Sequence, residues 1–159
     1  MLNIINADLN HPQHASAVLQ LLNDYACDPM GGAEPLSDFC RENLITELKK
    51  RDNIHVVLAF VDGQAAGLGI CIEGFSTFAC QPLLNIHDLS VASSFRGQGI
   101  ARKMLAHIEQ LARQRACCKI TLEVLQGNKP AHALYSDVGF AGYELDPALG
   151  GAIMMQKKF

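Results

Sequence analysis

The chain has 159 residues, of which 49% are hydrophobic and 18% charged, with a formal net charge of −3. That is the length of a single domain, 1–159, able to bury its own core, and its apolar content excludes an intrinsically disordered chain. The absence of a long basic run argues against a nucleic-acid partner, and the lack of a membrane-length apolar stretch or an export signal predicts a cytoplasmic protein without membrane association.

In chain order, Leu2 to Ala7 reads as a short first strand. Pro12 to Tyr25 follows as a helix, with Ala15, Val18, Leu19 and Leu22 on one face, and Asp28-Pro29-Met30-Gly31-Gly32 breaks it. Ser37 caps a second helix that runs to about Lys50. Ile54 to Val61 and Ala65 to Ile72 are apolar runs joined by Asp62-Gly63, a hairpin signal. A loop over Glu73 to Pro82 leads to a strand from Leu83 to Val91, and a third helix covers Gly99 to about Arg115. Lys119 to Leu125 is a β-branched strand, a fourth helix follows Asn128, and Ala152 to Lys157 is the expected last strand. Early hairpins with a late β-α-β alternation predict a mixed sheet covered by helices.

The most informative stretch is Leu89 to Arg102, where an apolar strand runs through Arg96-Gly97-Gln98-Gly99 into the helix Ile100-Ala101-Arg102. Glycines let a backbone approach a ligand closely, and a helix start adds unpaired N–H groups and the positive end of its dipole. A pyrophosphate suits such a cradle. The loop lacks the Lys-Ser or Lys-Thr of a nucleotide-triphosphate loop, and Arg102 stands where a dinucleotide fingerprint wants a small residue. By itself the loop is equally compatible with a turn that uses glycine only for geometry.

A second motif is Asn128-Lys129-Pro130-Ala131-His132-Ala133-Leu134-Tyr135-Ser136-Asp137-Val138-Gly139-Phe140. Asn128 and Pro130 suit a helix start, Ala131, Leu134, Tyr135 and Val138 share a face, and Gly139 suits its end. Arg96-x-x-Gly99-x-Ala101 and this second motif, in this order, resemble the two signature motifs of the GNAT superfamily of N-acetyltransferases, with bacterial-type small-molecule enzymes as the nearest likeness. The resemblance covers nearly the whole chain. It implies an α/β fold with a central, mostly antiparallel mixed sheet of six to seven strands and about four flanking helices. It also implies acetyl-CoA as co-substrate, no metal, and self-association as a homodimer.

The implied reaction moves an acetyl group to an amine. An alkylamine with a pKa near 10.4 is neutral in roughly one molecule per 2,500 at pH 7, so a base is needed. The resemblance assigns Leu89, Ser90 and Val91 to the pantetheine arm and thioester. It assigns Arg96, Gly97, Gln98, Gly99, Ile100, Ala101 and Asn128 to coenzyme binding, and Tyr135 to protonation of the departing thiolate. Glu123, in Leu122-Glu123-Val124, matches a strand of ribosomal-protein alanine acetyltransferases whose glutamate is the base; read from the residues alone, it either lines a cleft or faces water. His87, in Ile86-His87-Asp88-Leu89, stands where diamine acetyltransferases carry a glutamate, and its ordinary pKa near 6.5 suits proton abstraction. Alternation places Asp88 on the opposite face, where a structural role is the expectation.

The acceptor expected is a small primary amine, of diamine, polyamine or amino-acid type, with a peptide or protein amine as the alternative. A coenzyme-binding sensor without catalysis is the reading from another class. Phe75 and Phe78 are candidates to wall an acceptor pocket, and Glu34, Asp38 and Glu73 to hold a cation. The six cysteines form no Cys-x-x-Cys pair and read as free thiols, and nothing marks Cys71, Cys80 and His87 as metal ligands.

Overall fold

Five strands, β1 (Leu2–Asn6), β2 (Ile54–Val61), β3 (Gln64–Ser76), β4 (Gln81–Val91) and β5 (Ile120–Leu122), lie side by side in sequence order in a computed structural model that describes residues 1–159. The first four pair antiparallel, β2 to β3 and β3 to β4 through tight turns and β1 to β2 through the segment that carries the first two helices. β5 joins parallel to β4, as a helical crossover requires. The helices are α1 (Pro12–Cys27), α2 (Asp38–Lys49), α3 (Ile100–Gln114) and α4 (Lys129–Asp137). This is the mixed, mostly antiparallel α/β architecture expected, with five strands instead of six or seven. Two compact units are distinguished, Met1–Leu125 and Gln126–Phe159. The whole sheet belongs to the first.

Each side of the sheet has its own packing chemistry. On one side Val56, Leu58, Phe60, Leu68 and Ile70 meet Ala17, Val18 and Leu21 of α1 and Leu48 of α2. On the other, α3 presents a buried stripe of Met104, Leu105, Ile108, Leu111 and Ala112. Small residues let α3 approach: a Cβ at Gly67 would lie 2.6 Å from Met104 Sδ, and one at Gly69 would lie 3.2 Å from Ile108 Cδ1. Glycine there is a packing requirement rather than a conformational one.

The helix starts follow local chemistry. Ser37 Oγ accepts the Cys40 N–H at 3.2 Å to open α2, and Asn128 Oδ1 accepts the Ala131 N–H at 3.3 Å to open α4.

Three sequence expectations change. The loop from Glu73 to Pro82 is mostly strand: β3 and β4 pair out to Ser76 and Gln81, and only Thr77 to Cys80 turn. Phe75 and Phe78 therefore project from a hairpin, 60% and 102% exposed, and neither lines the cleft beside α1. The strand expected over Lys119 to Leu125 shortens to Ile120–Leu122, because its ladder with β4 ends at Ile86 and Leu122. No strand forms over Ala152 to Lys157. The second unit holds α4, a 3-10 turn at Pro147–Leu149 and one bridge between Glu144 and Gly151. Ile153, Met154 and Met155 there run apolar without alternation, and no ladder partner fixes them.

Candidate active site

The site is organised by an irregularity in β4. Cys71 of β3 pairs with Ile86, and Ile70 pairs with Asp88, so His87 is an extra residue in the ladder. Facing residues of an antiparallel pair share a side. Asp88 therefore lies on the side of Ile70, the one covered by α1, and the alternation that separated it from His87 is broken. Beyond the bulge, Leu89, Ser90 and Val91 remain bonded to β3 through Gly69, Leu68 and Gly67. They have no partner in β5, whose ladder has already stopped. One edge of this backbone is thus open to a ligand. His87 and Glu123 each follow the last residue of the β4–β5 ladder, at the same level of the parallel register. Both are exposed.

The strand's end then builds an anion cradle. A 3-10 turn over Ser93–Phe95 leads to Arg96, and Gly97 and Gly99 adopt φ of +78° and +73°, conformations that L residues rarely adopt. Space around both is open, with nothing within 4 Å of a built Cβ. α3 starts at Gly99 without a side-chain cap and without an acidic residue in its first turn. Its leading N–H groups are left for a ligand, and its dipole favours an anion. The residues present therefore fit a pyrophosphate.

The Arg96 side chain is engaged within the protein. Its Nε donates to the Val91 carbonyl at 3.0 Å and its Nη2 to Asp28 Oδ2 at 2.9 Å. Asp28 is the C-cap of α1. The Met30 N–H, with Arg96 second, holds its carboxyl below the ordinary aspartate range.

Between α1, the β2–β3 hairpin and the end of β4 lies an open cleft of about 930 Å³, lined by Gln20, Asp24, Tyr25, Gln64, Ser90 and Arg96 among others. Tyr25 is half-buried; desolvation first, then the charges of Asp88 and Asp28, raise its hydroxyl pKa. Asp88 is likewise half-buried, and desolvation pushes its carboxyl above the ordinary value, opposed by His87. Tyr25 and Asp88 are the residues that sequence reasoning underrated. Tyr25 reads as an ordinary helix residue, and the bulge that turns Asp88 leaves no local signal.

Glu73 leaves the list of amine-binding candidates. It pairs across the ladder with Leu84 and is engaged by Arg115, at the end of α3, and by His55 at 3.4 Å. Asp38 is paired with Arg41 on the surface of α2, and Glu34 is exposed. The cysteines are all free, and burial pushes the Cys71 thiol up to about 12. No group of three or more His, Cys, Asp or Glu side chains is assembled to hold a metal.

In the second unit α4 carries the other motif as expected. Gly139 takes φ +98°, and the Gly139 and Phe140 N–H groups return to the Ser136 and Tyr135 carbonyls at 3.1 and 2.9 Å. This double closure ends the helix and leaves Tyr135 half-buried.

Residues 18–140 match the model of the acetyltransferase (GNAT) family. The chain belongs to the GNAT acetyltransferase family. Like other GNAT members it is an acyltransferase enzyme, and the family's co-substrate is acetyl-CoA. It is 26% identical over 129 residues to thialysine N-epsilon-acetyltransferase of Caenorhabditis elegans, covering 81% of this chain and 78% of that enzyme. It is 37% identical over 98 residues to streptothricin acetyltransferase of Streptomyces lavendulae, covering 62% of this chain and 50% of that one. The GNAT fold also matches an aminoglycoside acetyltransferase from an uncultured soil metagenomic sample, solved with sisomicin, at a TM-score of 0.80 and 16% identity over 99% of this chain and 96% of that one.

Proposed function

We propose that this acetyltransferase moves an acetyl group from acetyl-CoA directly to the primary amine of a small molecule of diamine, polyamine or amino-acid type. The observation that carries this is the backbone edge of Leu89–Val91, unpaired with β5 and engaged only at the Val91 carbonyl by Arg96, leading through the 3-10 turn into the open cradle of Gly97 to Ala101. An extended arm ending in a pyrophosphate fits such a surface. The names of two similar enzymes, for thialysine and for streptothricin, support a small acceptor. Asp88, Asp24 and Tyr25 offer negative charge and an aromatic face to a cation on the α1 side. The protein is read as a cytoplasmic homodimer of one acetyltransferase domain; no helix is long and apolar enough to cross a membrane.

When bound, the coenzyme supplies an acetyl group activated as a thioester. The backbone N–H groups of Gly97, Gln98, Gly99, Ile100 and Ala101 bind its pyrophosphate, and Leu89, Ser90 and Val91 align its arm by main-chain bonds. Arg96 supports the loop, and Asn128 contributes by capping α4. A base must take a proton from the ammonium: Glu123 and His87, level with each other at the strand fork, and Asp88 beside Tyr25 are the groups in reach of this role. Tyr135 donates a proton to the thiolate as it leaves, a step typically worth ~10²–10⁴ in rate.

The test is coenzyme A release from acetyl-CoA by the purified protein across diamines, polyamines, amino acids, aminoglycosides and short peptides. Turnover confined to small amines supports the proposal. Turnover with peptides alone overturns the acceptor class, and tight coenzyme binding without turnover on any amine favours a sensor.

A further inference from the structure

We infer that Asp28 is a positioning residue for the coenzyme-binding loop and acts through Arg96; this rests on the reading of Gly97 to Ala101 as the pyrophosphate cradle. The loop's conformation is demanding, with two positive-φ glycines around Gln98 and open space about both. Arg96, the residue before them, is held at two points of its guanidinium: Nε on the Val91 carbonyl and Nη2 on Asp28 Oδ2. The first bond closes the turn from the end of β4 across the 3-10 segment. The second reaches 68 positions back in the chain, to a different element.

Asp28 is itself well anchored. Its N–H donates to the Tyr25 carbonyl at 3.0 Å, and its own carbonyl accepts the Gly31 and Ala33 N–H groups at 2.8 and 3.1 Å. Oδ1 accepts the Met30 N–H at 2.9 Å, which leaves Oδ2 for the arginine. Helix α1 is in turn fixed to the sheet by Ala17, Val18 and Leu21. The planar guanidinium thus bridges two points at once, the Val91 carbonyl through Nε and Asp28 through Nη2, a fork that a lysine cannot reproduce. The ion pair adds little to global stability, since the Arg96 side chain is 55% exposed. Its effect is on where the loop sits.

This arrangement predicts a sign opposite to that of a direct phosphate contact. Were Arg96 a free cation for the pyrophosphate, neutralising Asp28 would release its charge and strengthen coenzyme binding. With Arg96 as a strut, neutralising Asp28 weakens it.

The experiment measures dissociation constants of coenzyme A, and KM and kcat with acetyl-CoA, for the wild type, Asp28→Asn, Arg96→Lys, and the double variant. S-acetylpantetheine, which lacks the pyrophosphate, serves as a second donor, and thermal melting reports folding. The expected result is about tenfold weaker coenzyme A binding and higher KM in Asp28→Asn, with kcat nearly kept. The melting temperature and the use of S-acetylpantetheine should be unchanged, and the double variant should be no weaker than Arg96→Lys alone. Unchanged or tighter binding in Asp28→Asn overturns the inference, as does additive weakening in the double variant. If the wild type itself does not bind coenzyme A, the reading of the cradle fails first, and the inference with it.

Discussion

Phe140 folds back onto Tyr135 at the end of α4. Its N–H donates to the Tyr135 carbonyl at 2.9 Å, and the two rings meet edge to face with centroids 5.9 Å apart. The residue proposed as the acid is thus held in place by the helix stop that follows it. Gly139 makes this closure possible through its φ of +98°. Replacing Gly139 with Ala should cost about 1–2 kcal/mol, the penalty for an L residue in left-handed backbone. Amide hydrogen exchange should show the loss concentrated in α4. Tyr135→Phe, which keeps the ring contact, should leave coenzyme affinity intact and lower kcat by ~10²–10⁴. Undiminished turnover would remove the acid role.

Asp88 carries a carboxyl whose pKa is raised by burial. A group raised in the folded state favours folding when protonated, and that contribution is lost as pH rises through the folded value. Asp88→Asn should therefore gain stability over wild type at neutral pH and not at acid pH, as thermal melts across pH would show. If Asp88 is the base, the same variant should lose activity, and the acid limb of the wild-type kcat/KM profile should lie above the ordinary aspartate range. Full activity in Asp88→Asn would return the base role to Glu123 or His87.

The Glu73 cluster responds in the other direction. The Arg115 hydrogen bond lowers the Glu73 pKa, and desolvation, with the Arg115 charge second, lowers that of His55. The Glu73 contribution is present above its unfolded pKa, near 4.5, and is lost as pH falls through its folded value. The His55 contribution is already declining below about pH 6.5. Glu73→Gln should cost about 1 kcal/mol at pH 7, the upper end for partly exposed pairs. The cost should shrink toward pH 3 in denaturant titrations. Coenzyme binding should not change.

Lys103 lies exposed in the uncapped first turn of α3, where a cation opposes the helix dipole. Lys103→Glu should stabilise the fold by about 0.3–1 kcal/mol and at the same time weaken coenzyme A binding, because the added charge repels a pyrophosphate. Melting temperature and dissociation constant should therefore move in opposite senses. A variant whose binding is unchanged would place the anion away from this helix end.

Much of the architecture was legible because it is local. Helical spacing in α3, the Asp62-Gly63 turn, the Ser37 and Asn128 caps and the Gly139 stop all depend on residues within a few positions of each other. So does the Gly97 to Gly99 loop, whose positive φ angles glycine alone adopts easily. Where the reading failed, the missing information was a partner strand. Ala152 to Lys157 and the end of β5 have strand-like composition, yet a strand exists only where a neighbour accepts its ladder.

The sequence by itself determined the family, the glycine loop that opens α3 and the helix bearing Tyr135, since each rests on short-range spacing and on the conformational preferences of glycine, proline and capping residues. Only the tertiary structure decided which way Asp88 faces, because one extra residue at His87 reverses the side of all that follows. It also decided that Arg96 holds Asp28 and that Glu73 is occupied by Arg115 and His55. Those contacts join residues 68, 42 and 18 positions apart. Charge pairing over such distances follows from how strands pair and how helices lie on the sheet, and no local pattern of residues encodes it.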